Sequence, residues 1–178
     1  VGTSLQKNQY ALLLESFALV NTHHPHTRLL LVGTGNWTLF IRKRARRLGI
    51  EPYVICVEKK EPFGYYHVMN CYVWPVEGSL IERSILEAIA LGVPVIVTCG
   101  DQPHPIIESG KTGLVVPAFT VSGLAQGITL LLEDEQLRLY ITKMGKSIFK
   151  QRFNHTRMVE EYKELFVEAQ KKRREPAA

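Results

Sequence analysis

The sequence predicts one α/β domain, a doubly wound, Rossmann-like parallel sheet flanked by helices. Short, near-continuous apolar runs alternate along the chain with stretches whose apolar residues recur at helical spacing. Strands that read as unbroken apolar runs are those covered on both faces, and helices between them supply the crossovers that a parallel sheet needs.

Taken in order, Tyr10, Leu13, Leu14 and Phe17 mark a first helix, and Leu29-Leu30-Leu31-Val32 a strand. Trp37, Phe40, Ile41, Ala45 and Leu48 mark the next helix, with a cluster of Arg and Lys on its other face. Residues 53–57 read as a strand, 63–69 as a short helix and 71–74 as another strand. A helix over 84–91 turns Ile85, Leu86 and Ile89 inward, and Gly92 is its stop. The run 93–97 is a strand whose proline lies near its start, where a missing N–H is tolerated. A last strand over 113–116 precedes helical patterns at 121–132, 135–149 and 155–171. No repeat, linker or low-complexity stretch divides these elements. Residues 1–170 are therefore read as one domain and 171–178 as a frayed basic tail.

Composition agrees with a globule. The 178 residues are 46% hydrophobic, which excludes disordered and collagen-like chains. At this size roughly 70% of the unfolded surface can be buried, so neither disulfides nor metal are needed for folding. No apolar run approaches the ~18 residues of a membrane span. Cys56, Cys71 and Cys99 are odd in number, far apart and without a CxxC pair, which suits a reducing, cytoplasmic setting. Lys and Arg outnumber Asp and Glu by 22 to 17. The excess sits in Arg42-Lys43-Arg44, Arg46-Arg47 and Lys171-Lys172-Arg173-Arg174, with no nucleic-acid motif beside it, so it reads as solvated helix faces and tail. The chain opens Val1-Gly2-Thr3, with neither Met nor signal peptide, directly ahead of a helical pattern. The expectation is a piece of a longer protein with its first strand truncated.

Ligands of such sheets bind at the carboxyl ends of the strands, which directs attention to loops 2–8, 33–37, 58–62, 75–83 and 99–105. Gly33-Thr34-Gly35 follows a strand and opens a helix, where backbone N–H groups face an anion. A dinucleotide fingerprint needs a third glycine where Thr38 stands, although Glu58 lies where an NAD-binding acid belongs. Lys7 could neutralise a phosphate as a point charge; equally, Lys7 is solvated and Asn8 a helix cap. The richest loop runs from Pro75 to Ser84. It sets Glu77, Glu82 and Arg83 at a helix start, with Glu87 further in, where a carboxylate can accept both hydrogen bonds of a vicinal diol. The same charges could simply favour the helix dipole. Thr22-His23-His24-Pro25-His26-Thr27 lies away from the carboxyl ends with no Cys or acid to complete a metal site, and reads as a surface loop.

In order, these segments resemble the C-terminal, donor-binding domain of GT-B glycosyltransferases of the glycogen-synthase-like retaining superfamily (glycosyl transferases group 1). Val1-Gly2 followed by Lys7-Asn8 looks like the family's strand-end glycine and lysine, and Leu30-Leu31-Val32-Gly33-Thr34-Gly35 like its second strand and glycine turn. The run from Leu86 to Ile96 is similar to its best-known stretch, and that from Glu108 to Pro117 to the segment that follows.

The resemblance implies a nucleotide-sugar-binding domain whose acceptor-binding N-terminal partner domain is missing. By it, Gly2, Lys7 and Gly33 would border the diphosphate, and Glu87, second of a paired-glutamate motif, would grip the ribose. Backbone N–H groups from Ile81 to Arg83 would face the sugar and phosphates. Two positions depart from the pattern: Thr3 stands for an arginine, and Ser79 for the first glutamate. Glu77 reaches that place with a two-residue shift and Glu82 from the helix start, so Ser79, Glu77 and Glu82 are the candidates at the catalytic position. The implied reaction is retaining hexosyl transfer from a UDP- or GDP-sugar, with no metal or other cofactor, to an acceptor sugar, lipid-linked sugar or protein. The chain alone would be inactive. The implied setting is cytoplasmic, with residues 171–174 available for peripheral contact with the inner face of a membrane. The alternatives are an NAD-binding oxidoreductase domain and a degenerate, non-catalytic binding module.

Overall fold

A computed structural model describes residues 5–58, 63–76, 82–100, 103–118, 120–153 and 155–174. Helix α1 (Lys7–His23) leads to strand β1 (Leu29–Val32). A 3-10 turn, Gly35–Trp37, opens α2 (Thr38–Arg47), and a second, Glu51–Tyr53, opens β2 (Val54–Val57). The short α3 (Phe63–Tyr66) precedes β3 (Tyr72–Trp74), α4 (Arg83–Leu91), β4 (Val95–Cys99) and β5 (Leu114–Pro117). Helices α5 (Val121–Glu133), α6 (Glu135–Arg152) and α7 (His155–Arg174) complete the chain.

All pairing is parallel, as the alternation of helix and strand requires. It falls into two blocks: β1 pairs with β2, and β3, β4 and β5 form a second sheet in that order. Among the described residues no strand joins them. Every position of β4 is buried, because α4 and α5 both pack on it. Helix α1 lies against α5 and α2, while α6 covers α4. The core links the two halves through Leu14, Ile41, Tyr66, Ile85, Ile96, Leu124 and Ile141, each essentially without solvent contact.

Helix ends follow local chemistry. Gly92 ends α4 at φ 82°, a left-handed conformation that spares glycine the Cβ clash, and Val93 N–H closes the cap on Ala88 O at 2.8 Å. The Asp134 carboxylate caps α6 by accepting from Leu137 N–H at 2.8 Å. Helix α1 begins earlier than its apolar pattern: Gln6 and Gln9 form a reciprocal capping box, which places Asn8 inside the helix and not at its cap. At the other terminus α7 continues to Arg174, into the segment expected to fray. The Arg/Lys cluster of α2 is partly paired at the surface, Arg44 with Glu15 and Arg46 with Glu51 through two contacts of 2.8 Å.

Candidate functional site

The loops that leave the strand ends carry the predicted residues. After β1 the chain turns at Gly33, whose φ of 78° again calls for glycine. Its N–H donates to Val57 O at 2.7 Å, extending the β1–β2 ladder, so this group is spent on the sheet and any anion there must be met by others. The turn is locked by buried Thr34, whose hydroxyl lies 2.7 Å from that of Thr38, and Thr38 in turn donates to Gly35 O. Thr38 thus fills the position where a dinucleotide fingerprint would have its third glycine, and Glu58 at the end of β2 points to solvent.

Lys7 is the first residue of α1, and its Nζ sits 5.3 Å from the centroid of the Phe40 ring. With Gln6, Asn8, Trp37 and Arg44 it borders an open groove of about 550 Å³ between the starts of α1 and α2. A cation beside helix N–H groups that have no intrahelical partner is a setting for phosphate oxygens.

Across the molecule, Glu82 occupies the N-cap of α4, and Arg83 is its first residue. Glu87 lies one turn further in and is largely buried, its side chain 14% exposed. Both carboxylate oxygens are held: Arg83 Nε donates to Oε1 at 2.7 Å and the Tyr66 hydroxyl to Oε2 at 3.2 Å. Tyr66 is fully buried at the end of α3 and stacks at a tilt on Tyr72, with 5.9 Å between ring centroids. Burial, with the neighbouring Tyr72 and the Glu87 charge adding to it, raises the Tyr66 pKa well above the usual phenol value, so Tyr66 stays a donor. Tyr72, also driven up by burial, donates to Ser84 Oγ at 2.9 Å and ties β3 to the first turn of α4.

The structure therefore brings Arg83 and Glu87 together and places Glu82 at the start of the same helix. Lys7 and Gly33 lie apart from this helix in the chain, at the start of α1 and after β1. Gly2, Glu77, Ser79 and Ile81 lie outside the described residues. Sequence reasoning missed Tyr66: its only local signal was an aromatic residue in a short apolar helix. The histidines after α1 stand apart, with His24 Nε2 3.1 Å from Glu133, and no group of three metal-ligating side chains forms among the described residues.

With this geometry in view, the chain matches the family described as glycosyl transferases group 1 over residues 1–134, and it belongs to that family. It is similar to the capsular polysaccharide biosynthesis glycosyltransferase CapM of Staphylococcus aureus, 26% identical over 156 residues. That match covers 86% of this chain and 41% of CapM, so the chain spans less than half of that relative. In fold it is similar to the C-terminal domain of a group 1 glycosyl transferase, LpcC, from Francisella tularensis. There the TM-score is 0.73 at 18% identity, covering 85% of this chain and 83% of that one. It is also similar in fold to Anabaena HepE in complex with UDP-glucose, with a TM-score of 0.76 at 20% identity, covering 88% of this chain and 44% of HepE.

Proposed function

We propose that this chain is the donor-binding part of a retaining hexosyltransferase, taking a nucleoside diphosphate sugar with Lys7 on the diphosphate and Glu87 on the ribose. The observation that carries the reading is Glu87, a largely buried carboxylate oriented from two sides, in the first half of a helix that starts beyond a strand's carboxyl end. Each of its oxygens keeps a lone pair free for a vicinal diol. The N–H groups opening α4 carry partial positive charge and would meet the charge that develops on the departing diphosphate, as Lys7 would. Those groups do the work of a metal, so the reaction is assigned none. Glu82, Glu77 and Ser79 remain the candidates at the sugar-facing position. The nearness to HepE, solved with UDP-glucose, supports UDP as the first nucleotide to try.

Thermal unfolding with UDP, GDP, ADP and NAD in parallel tests this. A ligand at about 100 times its Kd adds ~2.7 kcal/mol, or several degrees for a chain of this size. One nucleoside diphosphate should shift the midpoint, and Glu87→Ala should weaken its binding about tenfold or more, the cost of a charged acceptor. A shift with NAD alone, or unchanged affinity in a folded Glu87→Ala protein, would overturn the assignment. Transfer to an acceptor sugar, lipid-linked sugar or protein is assigned to the longer protein, with an N-terminal domain forming the other wall of the cleft. The chain alone should turn over no donor.

The reading places the protein in the cytoplasm, with the basic end of α7 at the inner face of a membrane. No helix among the described residues is long and apolar enough to cross one. Four clustered cations add roughly 1 kcal/mol each at an anionic surface. Binding to anionic vesicles that survives deletion of residues 171–178 would remove this part of the proposal.

A further inference from the structure

Three aromatic rings run in series beside the groove that Lys7 borders. Tyr10, three residues after Lys7 on α1, is buried, and its ring lies 6.5 Å from that of Trp37, tilted by 45°. Trp37 in turn meets Phe40 edge-on, at 6.2 Å between centroids and 77° between planes. Both separations fall in the range of about 4.5–7 Å over which ring pairs attract. The series ends at a cation. Lys7 Nζ stands over the Phe40 ring at 5.3 Å, inside the distance of about 6 Å at which the negative ring face attracts an ammonium. Lys7 and Tyr10, three apart, share a face of α1. The ring that meets the lysine is therefore tied, through Trp37, to a core residue of the lysine's own helix.

We propose that Phe40 is the positioning residue for Lys7, holding its ammonium ready at the start of α1 for the diphosphate of the nucleotide sugar. This rests on the reading of Lys7 given above. The chemistry of the two cations in the groove is what separates them. Arg44 is paired with the carboxylate of Glu15, which cancels its charge. A ring attracts an ammonium through its quadrupole and has no net charge, so Lys7 is held in place and keeps its whole charge for an anion. Lysine has a flexible four-carbon stem, and gripping a phosphate costs it rotamer freedom. A stem already restrained by a ring loses less of that freedom on binding. The burial of Phe40 agrees: its ring packs on the core with one part and stays half-buried, leaving a face for the lysine. Phe40 acts through Lys7, so its effect is confined to ligands that carry phosphate.

The test compares the parent chain with Phe40→Leu, which keeps apolar bulk and removes the quadrupole, and with Phe40→Tyr, which keeps both. Phe40→Met replaces the leucine variant should that one not fold. Lysines are methylated reductively with carbon-13 formaldehyde, and the Lys7 signal is identified by its loss in Lys7→Arg. Methyl protons over a ring face are shielded, so the Lys7 signal should lie upfield in the parent and in Phe40→Tyr. In Phe40→Leu it should move to the position of solvated lysines. Calorimetry on the unmethylated proteins then reads affinity for UDP and GDP and for the nucleoside of the tighter one. Phe40→Leu should weaken the diphosphate about two- to fivefold, as loss of a cation–π contact predicts, and leave the nucleoside unchanged. Phe40→Tyr should restore the parent value. An unshielded Lys7 in the parent overturns the proposal, and so does unchanged or tighter diphosphate binding by Phe40→Leu. A loss shared equally by the nucleoside overturns it too, making Phe40 a packing residue. Lys7→Met separates this proposal from the reading beneath it. If Lys7→Met binds the diphosphate as the parent does, or the parent binds neither diphosphate, both fall. If Lys7→Met weakens binding and Phe40→Leu does not, only the role of Phe40 falls.

Discussion

Glu87 is oriented by two residues of very different kinds. Arg83 is its neighbour one turn back, an arrangement any helix offers, and its side chain is mostly exposed. Tyr66 reaches it from another helix, from inside the core, with no freedom to leave. The buried hydroxyl is therefore the stronger constraint on where Oε2 points. The Tyr66 hydroxyl lies within donating distance of both Glu87 Oε2, at 3.2 Å, and Ser84 O, at 3.3 Å; Tyr66→Phe keeps the ring on Tyr72 and removes that shared donor, which should weaken nucleotide affinity roughly two- to tenfold, about 0.5–1.5 kcal/mol. The discriminating result is a weaker Kd by calorimetry with an unliganded midpoint close to the parent's. A large fall in that midpoint with unchanged affinity would make Tyr66 a packing residue only. Glu87 itself was legible in the sequence, from its place before Ala88-Ile89-Ala90-Leu91-Gly92. Tyr66 was not, because a contact 21 residues away across a loop leaves no local pattern.

At the scale of elements, the strands and the helices α2, α4 and α5 coincide with their apolar patterns to within a residue or two, whereas α3 ends three residues early, α6 and α7 run three residues further, and α1 extends beyond its pattern at both ends. The loop between β4 and β5 is organised by a side chain that no pattern singled out. His104 is buried, and its Nδ1 accepts from the N–H groups of Ile106 and Ile107, at 3.3 and 3.1 Å. A proton on Nδ1 would face two donors in a desolvated site, and burial holds the His104 pKa below its usual 6.5. The unfolded chain then binds the proton more readily, so the stability this loop contributes is present above pH 6.5 and is lost as pH falls below it. His104→Gln should flatten the acid limb of a stability–pH curve measured by urea unfolding. An unchanged limb would show that other groups set it.

At the scale of the whole molecule, the described strands form two parallel blocks, β1–β2 and β3–β4–β5, packed together by helices and core side chains. Lys7 and the Gly33 turn belong with the β1–β2 block, and Glu82, Arg83 and Glu87 with the other. Core side chains pack the two halves of the proposed donor site together.

Periodicity and order by themselves determined the α/β class, the parallel pairing and the family resemblance, because burial on both faces imposes continuous apolar runs that survive in a linear reading. The glycines at 33 and 92 were legible for the same local reason: a left-handed turn needs them wherever the chain goes. What only the tertiary structure decided is everything that joins distant segments. It set Tyr66 on Glu87, spent the Gly33 N–H on Val57 and buried His104 against its own loop. A pattern along one chain records which residues seek burial; which of them meet is settled only when the elements pack.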